Sequence, residues 1–270
     1  MMIRIVAAAL LWLMPGVSLA APAADLWARW TAHDPASVQT IDHGSWDTLL
    51  KSYLRLDDGG IARFAYGRVA ATDKGLLTGY LASLAAAPVS GLNRNEQRAF
   101  WINLYNALTV KVILDHYPVQ SIRDIDISPG FFADGPWGRK LLSIEAEAVS
   151  LDDIEHRILR PLWKDPRLHY AVNCASVGCP NLQAEAFTAA NSERLLAKAA
   201  REYVNHPRGA TVIGGRLIVS SIYDWFRDDF GGTEEGVIAH LRAHADGDLK
   251  AKLAGVGSIE EDRYDWTLNE

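Results

Sequence analysis

The sequence predicts an α+β fold, in which a buried central helix packs with other helices and a small, mostly antiparallel sheet. Residues 95–117 carry apolar side chains nearly all round a helical cylinder, as a buried helix does. Shorter segments on either side show amphipathic helical spacing or the residue types of short strands. With 49% hydrophobic residues, the chain can also bury a sizeable core.

The central helix has a polar seam. At roughly 100° per residue, Glu96, Asn103 and Asn106 fall within one arc of about 80°. Buried amides and carboxylates need partners, because an unpaired one costs on the order of 1–3 kcal/mol. We therefore expect another part of the chain to come close along this seam, where a site can form.

Residues 1–20 resemble a secretory signal peptide. Arg4 precedes an apolar run over residues 5–14, a Pro-Gly break follows, and small residues lead to Ala20. The run is too short to cross a bilayer, which needs about 20 apolar residues. We expect a periplasmic or secreted mature chain with no membrane span after cleavage.

The net charge of -6, with no cluster of Lys or Arg, excludes nucleic acid and anionic membrane as main partners. We expect no cofactor, and a substrate that is a small molecule, a peptide or a cell-envelope component. The predicted division of the chain is a signal peptide over 1–20, an N-terminal helical extension over 21–44, a core over 45–245 and a C-terminal tail over 246–270.

The elements before the central helix are predicted from spacing and turn residues. The Asp-Asp-Gly-Gly run at 57–60 is typical of a turn, and Pro88 follows the end of a helical pattern. The predicted elements are helices over 25–30, 45–55 and 73–86 and a short strand over 61–66.

Glu155 stands out in the segment after the loop at 121–138. Ser150, with an acid three residues on, forms a capping box that starts a helix, and Pro161 is predicted to end it. Glu155 lies in the middle of the apolar face of this helix, although a charged carboxylate is rarely buried without a partner. It is a structural ion pair, a hydrogen-bond partner of a buried backbone group or a site carboxylate, and His156 points toward the polar side.

The two cysteines lie in one short loop. Residues 167–173 alternate and are rich in strand formers, so a strand is predicted to run into Cys174, with Cys179 closing the loop behind it. Loops at the carboxyl ends of strands are frequent positions for sites. In strand geometry, His169 points away from the face that carries Cys174, which disfavours a dyad of the two.

The rest of the chain repeats these signals. His240 and His244 are four residues apart, but no further ligands accompany them, so we expect no metal site. A strand at 139–144 is predicted before the Ser150 box. The later elements are a helix over 192–204, a hairpin over 211–219, a short helix up to 230 opened by a capping box at Ser221, and a helix over 234–245.

Four blocks resemble those of a known family. They are AFWINLYNA at 99–107, SLDDIEH at 150–156, AVNCASVGCP at 171–180 and DWFRDDF at 224–230. In this order they are similar to the signature blocks of the domain of unknown function 547 family, with a match from about 45 to 241. The name of that family leaves its activity open.

The same blocks are distantly similar to papain-like and transglutaminase-like thiol enzymes, which also pack a central helix on a small antiparallel sheet. Those enzymes place the nucleophilic cysteine at the start of the central helix, where the helix dipole lowers its pKa. Here that helix start has Asn95 and Glu96, and the first cysteine comes much later.

The first functional hypothesis is a thiol-dependent hydrolase or acyl transferase. Cys174 is the nucleophile and His156 the base that takes its proton. Glu155 or Glu96 orients that base, and the amide of Asn103 or Asn106 donates to a developing oxyanion. We expect these six residues to converge.

The second hypothesis is a non-catalytic protein that binds a small ligand or a partner. Two cysteines in an exported chain pair by default, so Cys174 and Cys179 form a disulfide in this case. A redox role for the pair is a third reading, which the spacing favours less because it is not C-x-x-C.

Overall fold

The computed structural model describes residues 22–130 and 134–270; the predicted signal peptide over 1–20 lies outside the described residues. The α+β class is confirmed. None of the described helices combines the length and the apolar character that a bilayer crossing requires. The α-helices are α1 Gly44–Tyr53, α2 Ala71–Ala85, α3 Arg94–His116, α4 Arg160–Trp163, α5 Ser192–Val204, α6 Ile222–Trp225, α7 Glu234–His244 and α8 Gly247–Leu253.

The strands form small separate sheets and not one sheet. β1 Leu54–Leu56 pairs with β2 Ala62–Phe64, and β3 Leu142–Ile144 pairs with β4 Glu147–Val149, both antiparallel. β5 Ala210–Ile213 is antiparallel to β6 Arg216–Ser220, which pairs in parallel with β7 Ile259–Arg263. The cysteine loop lies outside these sheets. The papain-like and transglutaminase-like resemblance is not supported.

The predicted central helix is confirmed as α3. It begins after Asn93, whose side-chain oxygen accepts hydrogen bonds from the backbone N–H groups of Asn95 and Glu96 at 3.1 and 3.0 Å. Every residue from 96 to 110 is buried, so the helix has no solvent-facing side over most of its length. Apolar side chains on all faces therefore meet protein on all faces.

Two hydrophobic cores share the molecule. The first surrounds α3 and includes residues of α1 and α2, and the second lies among β5, β6 and α7. α5 contributes to both, since Leu195 and Leu196 lie in the first core and Ala199 and Ala200 in the second. The segment that leads to the cysteines is placed where these cores meet.

That segment is a 3-10 helix, Pro166–Tyr170, and the strand predicted over 167–173 is wrong. The Asp165 side chain accepts a hydrogen bond from the Arg167 N–H at 2.9 Å, and the proline stands at the first position, as at many helix starts. Leu168 packs in the first core and Tyr170 in the second. Alternation in the sequence thus reflects two cores, and not the two faces of a sheet.

The helix that starts at Ser150 is also longer than predicted. Its capping box is confirmed: Ser150 Oγ accepts from the Asp153 N–H at 3.1 Å, and Asp153 Oδ2 accepts from the Ser150 N–H at 2.8 Å. The chain then forms a π-helix, Asp153–Leu159, and continues into α4. The prediction that Pro161 ends the helix is wrong.

The reason lies in the N-terminal segment. Pro161 has no N–H, so it cannot serve the carbonyl groups one turn earlier. The carbonyls of His156 and Arg157 instead accept hydrogen bonds from the N–H groups of Asp25 and Trp27, at 3.0 and 2.9 Å. The helix therefore passes through the proline without losing these bonds.

The capping box predicted at Ser221 is wrong. Ser221 has helical backbone angles, and its Oγ donates to Asp262 Oδ2 at 2.5 Å. The residues predicted as a tail contain α8 and β7, and β7 supplies this aspartate. The short helices end as predicted at Gly231, which adopts a left-handed conformation with φ of 101°. The four-part division of the chain stays a prediction.

Candidate functional site

The chain just before Cys174 is held by the central helix. Asn106 Nδ2 donates to the Ala171 carbonyl at 2.9 Å, and Asn106 Oδ1 accepts from the Asn173 N–H at 2.8 Å. The side-chain amide thus pairs with backbone as a neighbouring strand would. It fixes the position from which the Cys174 side chain projects.

The other two seam residues also bind backbone. Asn103 makes the same double contact with Phe187, donating to its carbonyl at 2.7 Å and accepting from its N–H at 3.0 Å. Glu96 Oε1 accepts from the Ile41 N–H at 2.7 Å. The seam therefore meets other parts of the chain, as expected, but at three separate segments. Only Asn106 lies against the cysteine loop.

Residues 264–269, which we call the C-terminal strap, close the other side of the loop. Backbone N–H groups of Val177 and Gly178 donate to the carbonyls of Thr267 and Asp265, both at 2.8 Å. The Asn269 N–H donates to the carbonyl of the residue after Cys174 at 3.1 Å. Together these bonds place Tyr264, at the start of the strap, over the loop.

Cys174 has three polar neighbours. Its Sγ lies 3.0 Å from Cys179 Sγ, 3.0 Å from Tyr264 Oη and 3.3 Å from Ser176 Oγ. The Cys174 backbone N–H donates to Cys179 Sγ at 3.0 Å. Cys174 is partly exposed and Cys179 is buried, and both are free thiols.

These contacts give the two thiols different pKa values. The hydrogen bond from the Cys179 thiol, then those from the Ser176 and Tyr264 hydroxyls, hold the pKa of Cys174 below its ordinary value, although burial acts the other way. Burial and the neighbouring Cys174 raise the pKa of Cys179. The accessible sulfur is therefore the more acidic of the two thiols.

Arg208 fixes the far end of the loop. Its guanidinium donates to the Val177 carbonyl at 2.7 Å and to Asn181 Oδ1 at 2.5 Å. Asn181 Oδ1 in turn accepts from the Ala62 N–H at 2.8 Å, which ties the loop to β2. The loop is thus held by Asn106 at one end, by Arg208 at the other and by the C-terminal strap along its length.

His156, the base predicted for Cys174, has other neighbours. Its Nδ1 lies 3.1 Å from an Arg160 guanidinium nitrogen, and its Nε2 lies 3.7 Å from Asp152 Oδ1. Burial, with Arg160 close by, lowers the pKa of His156 to about 4, so the imidazole is neutral at pH 7. Within the described residues, Cys174 has no hydrogen bond to it.

Glu155 belongs to a buried charged chain. Its Oε1 lies 3.6 Å from His169 Nδ1, and His169 Nε2 lies 2.7 Å from Asp229 Oδ2. Asp229 Oδ2 also accepts from Arg160 Nε at 2.5 Å. The carboxylate on the apolar face is therefore paired, and its negative charge acts on Cys174 by raising the pKa of that thiol.

Hydrogen bonds and ion pairs within this buried charged chain of side chains determine the pKa values of His169 and Asp229. Burial lowers the pKa of His169, but hydrogen bonds to Asp229 and Glu155 outweigh burial and raise it above the ordinary value of 6.5. Burial raises the pKa of Asp229, but His169 and Arg160 lower it to about 2. The two carboxylates thus favour the imidazolium form of His169.

A cleft of about 480 Å³ opens at the Asp229 end of this chain. Its lining includes Arg160 of α4, Lys164 just after α4, Asp228, Asp229 and Leu26 of the N-terminal segment. Cys174 does not line this cleft. The charged chain and the thiol are therefore reached from different parts of the surface.

The sequence missed Tyr264, Asp229, Arg160 and the role of His169. Asp229 lies in the DWFRDDF block, which was a signal for it. His169 was disfavoured as a partner of Cys174 because a strand was predicted there, whereas the segment is a 3-10 helix. Tyr264 lies 90 residues from Cys174 and no local pattern marks it.

The histidine pair of α7 has a structural role. His240 Nε2 lies 2.7 Å from Tyr170 Oη, inside the second core. Over residues 22–130 and 134–270, no group of three His, Cys, Asp or Glu side chains is arranged to hold a metal ion.

The sequence was also compared with known proteins. The profile of a family described as "Protein of unknown function, DUF547" matches residues 89–204, which span α3, the Ser150 box and the cysteine loop. This stretch is shorter than the resemblance over 45–241, since the DWFRDDF block lies beyond it. No curated protein and no solved structure matches the sequence.

His169→Gln is expected to destabilise the fold in a pH-dependent way. The raised pKa of His169 means that its stabilisation is complete below pH 6.5 and is lost as pH rises through its value in the folded protein. Removing one partner of a buried charge costs on the order of 3–5 kcal/mol. In urea unfolding from pH 5 to 9, the difference in free energy of unfolding between wild type and His169→Gln should be largest at low pH. The matched control is His116→Gln, since His116 is exposed. A difference that does not change with pH would refute a charged His169.

Gly178→Ala is expected to weaken the activation of Cys174. A Cβ at Gly178 would lie 2.7 Å from the Asp265 nitrogen and 2.9 Å from its oxygen, so the strap must move and take Tyr264 with it. We expect alkylation of Cys174 by iodoacetamide at pH 7 to slow by on the order of ten-fold, the worth of one charge-assisted hydrogen bond. In the control Gly79→Ala, nothing lies within 4 Å of the new Cβ, and its rate should equal that of wild type.

Proposed function

The DUF547 profile, whose description leaves the activity open, matches residues 89–204, and we propose that this chain is a thiol-dependent hydrolase or acyl transferase that uses Cys174. One observation carries the proposal. The partly exposed Cys174 sulfur lies within hydrogen-bond distance of Cys179, Ser176 and Tyr264, and these contacts lower the pKa of the Cys174 thiol. A thiolate is the nucleophilic form of cysteine.

The reaction would proceed through a thioester. The Cys174 thiolate attacks the carbonyl carbon of an ester or amide, and the carbonyl electron pair moves to oxygen. Collapse of this intermediate expels the leaving group and leaves the acyl group on sulfur. Water or an acceptor amine or alcohol then attacks the thioester and gives its proton through Ser176 to the Tyr264 oxygen, and Cys174 is released as the thiolate.

The first step depends less on a separate base, because the lowered pKa of Cys174 favours the thiolate. This replaces the role that the sequence gave to His156. The leaving group needs a proton, and Tyr264 can supply it: burial and the neighbouring thiols raise the pKa of its hydroxyl, which therefore stays protonated. Tyr264 Oη also lies 3.0 Å from Ser176 Oγ, through which it can be reprotonated.

The place of action is part of the proposal. The signal-peptide pattern over residues 1–20 supports work in the periplasm or outside the cell, on a small-molecule, peptide or cell-envelope substrate. An oxidising compartment sets a condition on the thiol chemistry, because Cys174 must then escape pairing with Cys179.

A second function is favoured by the sulfur geometry itself. Two sulfurs 3.0 Å apart need little movement to form a disulfide, and such a protein would bind a ligand or partner without catalysis. A disulfide across so short a loop would stabilise the fold by only about 2 kcal/mol.

p-Nitrophenyl acetate tests the first function. The wild-type protein should release nitrophenol in a burst and carry one acetyl group on Cys174, read by peptide mass spectrometry. Cys174→Ser should remove the burst. Its thermal unfolding should stay close to that of wild type, because the side chain is partly exposed.

Cys179→Ala is the matched variant for this test. It removes the Cys179 thiol that contacts Cys174 Sγ and lowers the Cys174 pKa, so acetylation of Cys174 should be slower and still present. Equal acetylation of wild type and Cys174→Ser would exclude Cys174 as the nucleophile.

A thiol count decides between the two functions. We expect the protein purified from the exported compartment to incorporate iodoacetamide at Cys174 before any reduction. Protection of both sulfurs until a reductant is added would mean a disulfide, and the non-catalytic function would replace the first. Alkylation followed by mass spectrometry reads each cysteine separately.

A further inference from the structure

Four aromatic side chains stand together beside the thiol, and we call them the aromatic wall: Trp137, Trp225, Tyr264 and Trp266. The ring centroids of Trp225 and Tyr264 are 4.8 Å apart, and those of Tyr264 and Trp266 are 4.6 Å apart. Trp225 and Trp266 are near parallel at 5.6 Å, and Trp137 meets Trp266 edge-on at 5.7 Å. The wall is thus one continuous ring surface.

Three distant parts of the chain build this surface. Trp137 precedes β3, Trp225 ends α6, and Tyr264 and Trp266 belong to the C-terminal strap. Tyr264 joins the wall to the reacting atom, because its Oη lies 3.0 Å from Cys174 Sγ.

The wall differs from the tryptophans that only pack. Trp30, Trp46 and Trp101 are 2% exposed or less, whereas the four wall residues are all partly exposed. Packing of the strap explains part of the contact among the four wall rings. Packing alone does not require that these rings remain partly exposed to solvent next to a nucleophile.

Two arginines beside the wall are already paired. Arg123, whose guanidinium lies 5.4 Å from the Trp266 ring centroid, binds Asp134. Arg227, two residues after Trp225, binds Asp224 at 2.5 Å. Because both guanidinium groups are neutralised, a neutral ring fits the wall better than an anionic group.

We propose that the aromatic wall binds a planar aromatic ring on the acyl group that Cys174 attacks, so that the substrates are esters or amides of aromatic acids. Ring centroids from 4.5 to 7 Å apart are the favoured range for aromatic pairs, and the wall already has this spacing, so a further ring can extend it. This inference rests on the proposed function.

Two alkylating reagents of equal chemistry test the inference without a known substrate. Chloroacetamide and N-phenylchloroacetamide carry the same reactive carbon and differ by one ring. Their second-order rate constants are measured at Cys174 in the full chain and, for intrinsic reactivity, with free cysteine. The readout is the phenyl preference of the protein divided by that of free cysteine.

In the wild-type protein, we expect a phenyl preference of about two- to ten-fold, the worth of one aromatic contact. Trp225→Ala should bring the preference close to one, and Trp225→Phe should restore most of it. Trp163→Ala is the control, because Trp163 is a partly exposed tryptophan of the first core with Arg94 over its ring and lies outside the wall. It should keep the wild-type preference.

The outcomes separate the two proposals. A Cys174 that reacts faster than free cysteine but shows no phenyl preference would overturn the aromatic inference and leave the thiol function standing. A Cys174 no more reactive than free cysteine with either reagent would overturn the thiol function, and the inference with it. A preference that survives Trp225→Ala would assign the selectivity to another surface and overturn the inference as well.

Discussion

The site depends on one kind of hydrogen bond, in which a side-chain amide of a buried helix pairs with the backbone of another segment. Asn106 holds the chain just before Cys174 in this way, and Asn103 holds Phe187 one turn earlier along α3. In the core, each backbone group left without a partner costs on the order of 1–3 kcal/mol. The two asparagines therefore determine which irregular segments can lie against the central helix. The cysteine loop is one of them, and this lets it occupy the interior without belonging to a sheet.

Segments near both ends of the described residues also hold the site in place through backbone hydrogen bonds. Pro161 cannot donate to a helical carbonyl, and the N–H groups of Asp25 and Trp27 bind the carbonyls of the turn before it, which stabilises the π-helix around Glu155. A π-helix is rare, and a wider turn re-aims the side chains that it carries. The C-terminal strap likewise accepts and donates backbone hydrogen bonds with the cysteine loop, and it places Tyr264 next to the Cys174 sulfur. Segments far apart in sequence thus supply the parts of the site that the middle of the chain lacks.

Sequence reasoning succeeded where local physics decides the outcome. The capping box at Ser150, the extent of α3 and the end at Gly231 follow from neighbouring residues, and each is confirmed. It failed where long-range packing decides. The alternation before Cys174 reflects two cores that meet across a 3-10 helix, and Pro161 is tolerated only because Asp25 and Trp27 supply the missing donors. For the site, Cys174 and Glu155 were visible as unusual residues, whereas Tyr264 is defined only by the folded strap.

The separation between Cys174 and Tyr264 also bears on the synthesis of the protein. Ninety residues lie between nucleophile and hydroxyl, and a ribosome adds about 5–20 residues per second. For roughly 5–18 seconds after Cys174 is translated, the chain that activates it does not yet exist. Over that interval Cys174 is an ordinary cysteine with a pKa near 8.5, mostly protonated and slow to react. Until the strap folds onto the loop, the nascent chain therefore carries Cys174 without the Tyr264 contact that lowers its pKa.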